Sequence, residues 1–226
     1  MELVDQMKAL VIGNADYDPY SIKDSYNPWA RNPHTLQNPI NDARLVSKTL
    51  SKLGFNSTLK FDLTRKRFLD TINAFRESFR DKQSDRDKVD VVVFYYAGHG
   101  FQIKDENYLV PIDAKNISDW QRLRDASIDL DTILKDIGSH ADTFIVILDA
   151  CRNNPFARSF GSTNLLKGLA LIKRTGGTFV VFSTQPGNIA FDGAKGSENS
   201  PFANAFVAHI EDRKSTRLNS SHRTGS

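Results

Sequence analysis

Five short apolar runs, separated by polar and amphipathic segments, set the pattern of this chain. They occupy residues 8–13, 55–61, 89–96, 143–148 and 178–183. Apolar runs of this length, rich in β-branched and aromatic residues, are typical of strands buried on both faces of a parallel sheet. The sequence therefore predicts a five-stranded, mostly parallel sheet.

Helix signals fill the intervals between these runs and follow the last of them. The predicted helices occupy residues 41–53, 64–81, 129–138 and 200–211. In the second helix four apolar side chains share one face at helical spacing: Phe68, Ile72, Phe75 and Phe79. Asn41 is expected to cap the first helix, and Asp129 or Asp131 the third. This alternation predicts an α/β fold with helices on both faces of the sheet and a hairpin over residues 101–112.

Two of the predicted strands end in a side chain capable of catalysis. In residues 91–100, His99 follows the apolar run and lies between two glycines. In residues 144–152, the apolar run is followed by Cys151, the only cysteine of the chain. A lone cysteine in an apolar run is ordinarily a small buried hydrophobe, and a lone histidine is ordinarily structural. Because ligands bind at the carboxyl ends of parallel strands, the pair would instead place a base beside a thiol.

The residues around these strand ends carry a family resemblance. Tyr-Ala-Gly-His-Gly at residues 96–100 and Asp-Ala-Cys-Arg-Asn-Asn-Pro at residues 149–155 resemble motifs of the caspase-like cysteine peptidases, especially the bacterial metacaspase-like (orthocaspase) type. Caspases have about 50 residues between the histidine and the cysteine, and here the separation is 52. Further matching segments follow in the family's order, at residues 8–14, 36–43, 183–187 and 199–202.

This resemblance implies a fold and a mechanism. The fold is the caspase-like three-layer sandwich, with a mostly parallel central sheet in the strand order 2-1-3-4-5. Cys151 would be the nucleophile and His99 the general acid and base. The backbone N–H groups of Gly100 and Cys151 would form the oxyanion hole.

The resemblance also implies a substrate pocket. In metacaspases the residues that match Asp42 and Asp149 line the pocket for a basic P1 side chain, and Ser183 and Gln185 match the substrate loop. The structural alternatives are a first-turn helix carboxylate for Asp42 and a cap or turn carboxylate for Asp149. Self-cleavage is expected in the loop at residues 152–177. The candidate cleavage positions in that loop are Arg158, Lys167, Lys173 and Arg174.

Composition argues against several other classes of protein. Residues 1–212 carry 26 basic and 27 acidic groups, so no nucleic-acid partner is expected. No run is long enough for a membrane span and no signal peptide is recognised, which predicts a cytoplasmic protein without a membrane partner.

The scattered histidines predict no metal site, and no cofactor is expected to be required. Calcium activation, known in some metacaspase-type enzymes, stays open without an assigned site. Neither nucleotide-binding glycine motif is present, which disfavours a nucleotide-binding module.

The expected organisation is one domain and a tail. Residues 1–211 are expected to form the peptidase domain, truncated at its C-terminal end relative to the family. Residues 212–226 are polar, look non-native and are expected to be disordered. The predicted function is a cysteine endopeptidase acting on peptides or proteins after Arg and, less well, after Lys. The alternative is a catalytically silent caspase-like interaction domain.

Overall fold

The computed structural model describes residues 7–17, 36–79, 89–103, 106–114, 120–150, 166–167, 177–183 and 197–221. Its elements, in chain order, are β1 (Met7–Gly13), α1 (Pro39–Lys52), β2 (Asn56–Phe61), α2 (Arg65–Glu77), β3 (Val89–Gly98), β4 (Gly100–Ile103), β5 (Glu106–Leu109), α3 (Trp120–Ala126), β6 (Ile128–Asp129), α4 (Leu130–Gly138), β7 (Ala141–Ala150), β8 (Leu166–Lys167), β9 (Thr178–Phe182) and α5 (Pro201–Ser221).

A five-stranded sheet in the order β2-β1-β3-β7-β9 forms the centre of the fold. Every neighbouring pair in this sheet is parallel. The α/β fold class and the strand order 2-1-3-4-5 are therefore confirmed, because β7 and β9 are the predicted fourth and fifth strands. The order reverses between β1 and β3, so the carboxyl ends of β1, β3 and β7 lie together at one edge.

Alternating side chains bury both faces of the sheet against helices. Leu10 and Ile12 of β1 pack in a cluster that also holds the apolar stripe of α2 and the inner face of α4. Ala9 and Val11 point to the opposite face and pack with residues of α1 and with Val207 of α5. A strand covered on both sides has no polar face, which explains why the apolar runs of the sequence are continuous.

Three helix boundaries differ from the sequence prediction. Helix α2 ends at Glu77, with Ser78 at the C-cap, four residues before its predicted end. Helix α1 begins at Pro39 with Asn38 at the N-cap, so Asn41 lies inside the helix and does not cap it. Proline is pre-organised for a first helical turn, which favours the earlier start. Helix α5 continues to Ser221, ten residues past the predicted end and into the segment expected to be disordered. No proline or glycine interrupts residues 202–221, so nothing local stops the helix.

The cap predicted for the third helix is confirmed as Asp129, the first of its two candidates, and one short helix was not predicted. Asp129 caps α4 by accepting a hydrogen bond from the Asp131 backbone N–H at 3.0 Å. Helix α3 precedes it and was missed, because its seven residues are too few for a clear periodic pattern.

A second, antiparallel sheet begins at the edge where β1, β3 and β7 end. Its order is β6-β5-β4-β8, and β4 with β5 forms the predicted hairpin. Strand β4 starts at Gly100, directly after His99, and the Val110 backbone N–H donates to the His99 carbonyl at 3.0 Å. His99 therefore lies at the junction between the two sheets.

The exposed edge of strand β9 leads us to expect association between copies of the chain. Among the described residues it pairs with β7 alone, and its Phe179 and Val181 side chains are 60% and 40% exposed. An exposed apolar edge strand is a template for pairing with another chain. We expect Phe179→Lys to reduce concentration-dependent association, measured by light scattering across a dilution series.

The control for this experiment is Asn56→Lys, which adds the same charge on the opposite edge strand β2. The prediction is contradicted if the parent protein stays monomeric at high concentration, or if both lysine variants associate as the parent does.

Candidate active site

His99 is held by its main chain at the carboxyl end of β3. The residue is buried, and its backbone N–H donates to the Tyr17 hydroxyl at 2.7 Å. Its carbonyl accepts from the Tyr96 hydroxyl at 3.0 Å and from the Val110 N–H. The imidazole lies against the Tyr17 ring, with 4.5 Å between the ring centroids. Hydrogen bonds therefore hold both the N–H and the carbonyl of the histidine.

Gly98 makes room for these tyrosines. A Cβ at this position would lie 2.6 Å from both the Tyr17 and the Tyr96 hydroxyl oxygens. Any other residue would therefore displace the groups that hold His99. The neighbours that exclude a side chain at this position are the hydroxyl groups of the two tyrosines.

Asp42 and Asp149 meet at the N-terminus of α5. Asp42 lies in the first turn of α1 and Asp149 near the end of β7, and both are buried. Ser200 links them, because its backbone N–H donates to Asp42 Oδ1 at 2.8 Å and its hydroxyl donates to Asp149 Oδ2 at 2.9 Å. Residues more than a hundred positions apart thus form one polar group.

Further donors complete this group. The Tyr95 hydroxyl donates to Asp149 Oδ2 at 3.1 Å, and Asn199 Nδ2 donates to Asp42 Oδ1 at 2.9 Å. The Ser200 oxygen also accepts from the Ala203 N–H at 3.1 Å, as an N-cap does. The positive end of the α5 dipole therefore faces two carboxylates, an arrangement that stabilises negative charge.

Sequence reasoning missed the roles of Tyr95, Asn199 and Ser200. A signal for Ser200 was present, since a serine followed by proline is a typical start of a helix, with the serine as the N-cap. Nothing in the sequence shows that the same hydroxyl would also reach a carboxylate on β7.

The environment of Asp149 favours its protonated form. Burial raises the pKa of Asp149 to about 6, and the hydrogen bond from Ser200 opposes this rise. The charge of Asp42 raises the pKa further, while Ser183 and Tyr95 lower it. Burial, with Asp149 beside it, also raises the pKa of Tyr95 well above its ordinary value, so the phenol stays protonated and donates.

The other predicted site residues fall in different places. Ser183 follows β9, and its backbone N–H donates to the Leu148 carbonyl at 3.0 Å. Its hydroxyl atom is buried and makes no hydrogen bond of standard geometry to a described residue, yet it lies close enough to Asp149 to lower the pKa of that carboxyl. Gly100 opens β4. Lys167 pairs with Gln102 in the second sheet, so cleavage after it would first require this pairing to open.

Several predicted residues lie outside the described part of the chain: Cys151, Gln185, Arg158, Lys173 and Arg174. Their roles stay predictions. Ala150, the residue before Cys151, pairs with Gly98, the residue before His99. The strands that lead to the predicted nucleophile and base are thus direct neighbours in register.

Within the described ranges, no group of three or more His, Cys, Asp or Glu side chains could hold a metal ion. None of the described helices combines the length and apolarity that crossing a membrane requires.

Comparison with known proteins agrees with this architecture. A family model described as the caspase domain matches residues 6–224. The chain belongs to this caspase domain family, a family of cysteine peptidases. Among solved structures, the crystal structure of a protein from Geobacter sulfurreducens is similar, at 20% identity and a TM-score of 0.46. The match covers 68% of this chain and 53% of that protein. No curated protein matches the chain.

The raised pKa of Asp149 predicts a pH-dependent stability. An ordinary Asp loses its proton near 3.8, whereas native Asp149 keeps it up to about pH 6. The native state therefore binds more protons between these values, and stability falls as the pH rises through this window. Asp149→Asn keeps an acceptor for Tyr95 and Ser200 but carries no charge. We expect it to remove this slope and to be more stable above pH 6, by up to about 3 kcal/mol.

Urea unfolding at a series of pH values measures this effect. The control is Asp142→Asn, which neutralises an exposed carboxyl on the same strand. A wild-type slope that survives in Asp149→Asn would show that Asp149 is not its source.

Proposed function

We propose that this chain is a cysteine endopeptidase that cleaves after Arg and, less well, after Lys. The observation that carries the proposal is the buried pair of carboxylates, Asp42 and Asp149, at the same sheet edge as His99. Asp149 pairs in register with Ala97, two residues before that histidine. An acidic pocket beside the base would bind the P1 side chain and so place the scissile peptide bond of the substrate near His99.

The carboxylate pair accounts for a basic specificity. A guanidinium that leaves water needs charged acceptors, and charge-assisted hydrogen bonds to carboxylates supply about 1.5–3 kcal/mol each. A P1 aspartate would meet like charge and be rejected. Lysine lacks the planar fork that engages a carboxylate through two hydrogen bonds, so we expect weaker cleavage after it.

The proposed chemistry uses His99 and Cys151. His99 takes the thiol proton, and the thiolate attacks the carbonyl carbon of the scissile bond. The resulting oxyanion accepts hydrogen bonds from the Gly100 and Cys151 N–H groups. His99 then protonates the leaving amine, which leaves a thioester. Finally His99 takes a proton from water, the hydroxide displaces the thiolate, and the acid product departs. The fixed main chain of His99 suits a residue that must transfer protons in both directions.

One observation favours the alternative, a catalytically silent interaction domain. Asp42 and Asp149 already accept hydrogen bonds from Ser200, Asn199 and Tyr95. A polar group of this kind would also serve to lock α5 against α1 and β7, with no substrate involved. The two functions differ in whether peptides are turned over.

The proposed roles of His99 and Cys151 predict a complete loss of cleavage in two variants. Cys151→Ala removes the nucleophile and His99→Ala removes the base, so neither variant should turn over fluorogenic Arg peptides. His209→Ala, at an exposed position of α5, is the control and should retain activity. Circular dichroism shows whether each variant is folded. Turnover by a folded Cys151→Ala protein would exclude the mechanism.

The carboxylate pair predicts specificity for Arg over Lys and rejection of Asp. We expect Asp149→Asn to lower kcat/KM for Arg peptides by about 10- to 100-fold, which corresponds to about 1.4–2.7 kcal/mol. Asp42→Asn should act in the same direction, whereas Asp142→Asn should have no effect. In the wild type, cleavage after Arg should decline as the pH falls below about 6, because protonation removes the charge of Asp149.

These assays also separate the two functions. Wild-type preference for Asp, or unchanged Arg rates in both pocket variants, would refute the basic pocket. A folded wild-type chain that cleaves none of the Arg, Lys and Asp peptides, with or without calcium, would favour the silent domain.

A further inference from the structure

Tyr17 contacts His99 through both its hydroxyl and its ring. The residue follows β1 and is buried in a cluster with Phe101 and Tyr108 of the second sheet and with other apolar side chains. Its own backbone is anchored nearby, since Asp62 Oδ1 accepts from the Ala15 N–H at 2.8 Å. A fixed side chain from the first strand thus reaches the end of the third.

The hydrogen bonds around Tyr17 have a definite direction. The His99 N–H can only donate, so the Tyr17 oxygen accepts this bond of 2.7 Å. The Tyr17 proton is then directed to the Tyr96 oxygen at 3.3 Å or the Val110 carbonyl at 3.4 Å. Burial raises the pKa of Tyr96 well above its ordinary value, so Tyr96 is neutral and donates to the His99 or Val110 carbonyl, each at 3.0 Å.

These directions give the two tyrosines complementary roles. Tyr17 holds the N–H of His99 while Tyr96 lies within hydrogen-bonding distance of its carbonyl. A phenylalanine at position 17 would fill the same space among the apolar side chains. A buried tyrosine hydroxyl, in contrast, requires hydrogen-bond partners. The partner found here is the amide of the predicted catalytic base, and the glycine at position 98 keeps the space open for the contact.

We propose that Tyr17 is a positioning residue that holds the backbone and ring of His99 in the geometry needed for proton transfer. This inference rests on the proposed function, because it assigns His99 the role of base. Tyr17 is not expected to touch the substrate or the reacting atoms. Small displacements of a catalytic group reduce the rate of the chemical step, while the carboxylate pocket for P1 is formed by other residues.

The test compares Tyr17→Phe with Tyr108→Phe in the full chain. Both variants lose one phenolic hydroxyl from the same cluster, but the Tyr108 hydroxyl bonds to Glu106 at 2.7 Å and not to His99. We expect Tyr17→Phe to lower kcat for Arg peptides by about 10- to 100-fold, the scale of a displacement of roughly 1 Å. KM should stay near the wild-type value, and Tyr108→Phe should keep the wild-type kcat.

A second readout follows the position of His99 directly. Hydrogen exchange of the His99 amide, which donates to the Tyr17 oxygen, should be faster in Tyr17→Phe than in wild type or Tyr108→Phe. Assays are run at a temperature where both variants are folded. A purely structural role would lower the melting temperature without changing the kcat of the folded protein.

The outcomes separate this inference from the proposed function. If wild type cleaves Arg peptides and Tyr17→Phe has the kcat of Tyr108→Phe, the positioning role is overturned and the peptidase stands. An unchanged exchange rate of the His99 amide overturns it as well. If folded wild type cleaves no peptide, the proposed function fails and the positioning role falls with it.

Discussion

The burial of two like charges beside each other is the constraint on which this site depends. Asp42 and Asp149 are both almost fully removed from water, and buried carboxylates are costly unless donors surround them. Ser200 supplies two of the donors, one from its backbone and one from its side chain. The start of α5 is therefore required at this edge of the sheet, and the position of that helix is tied to the charge of the two carboxylates.

The candidate site combines two supports that differ in kind. His99 is held by the ends of β1, β3 and β5 through main-chain bonds and two tyrosines. The carboxylates, which belong to α1 and β7, accept hydrogen bonds from Tyr95 of β3 and from Asn199 and Ser200 at the start of α5. The position of the proposed base thus depends on the ends of the strands. The proposed specificity pocket also requires the start of α5 to pack against α1 and β7.

The donors around Asp149 offset only part of the cost of burying it. Burial raises the pKa of Asp149 to about 6, against the opposing hydrogen bonds from Ser200 and Tyr95 and the nearby Ser183 hydroxyl. A site that keeps a carboxylate in this state sacrifices stability, which is common where function needs charge. An incoming guanidinium would reverse the balance, because an opposite charge lowers the pKa of the carboxyl.

The sequence by itself determined the strands, their order and the strand end that carries His99. Continuous apolar runs predict buried parallel strands regardless of which helix covers them, and the family motifs made the order and the carboxylate pair predictable. The N-terminus of α1 and the length of α5 were not predictable to the residue, because competing caps and an uninterrupted helical sequence leave such boundaries open.

Only the tertiary structure decided which groups support the predicted residues. Tyr17 and His99, or Asp42 and Ser200, are far apart in the chain and meet only because the strands pair in one register. A shift of one residue would turn the alternate side chains of β3 and β7 to the opposite face. Local pattern does not encode that register, so the tyrosine contacts to His99, the reason for Gly98 and the serine between the carboxylates emerge only when the sheet is assembled.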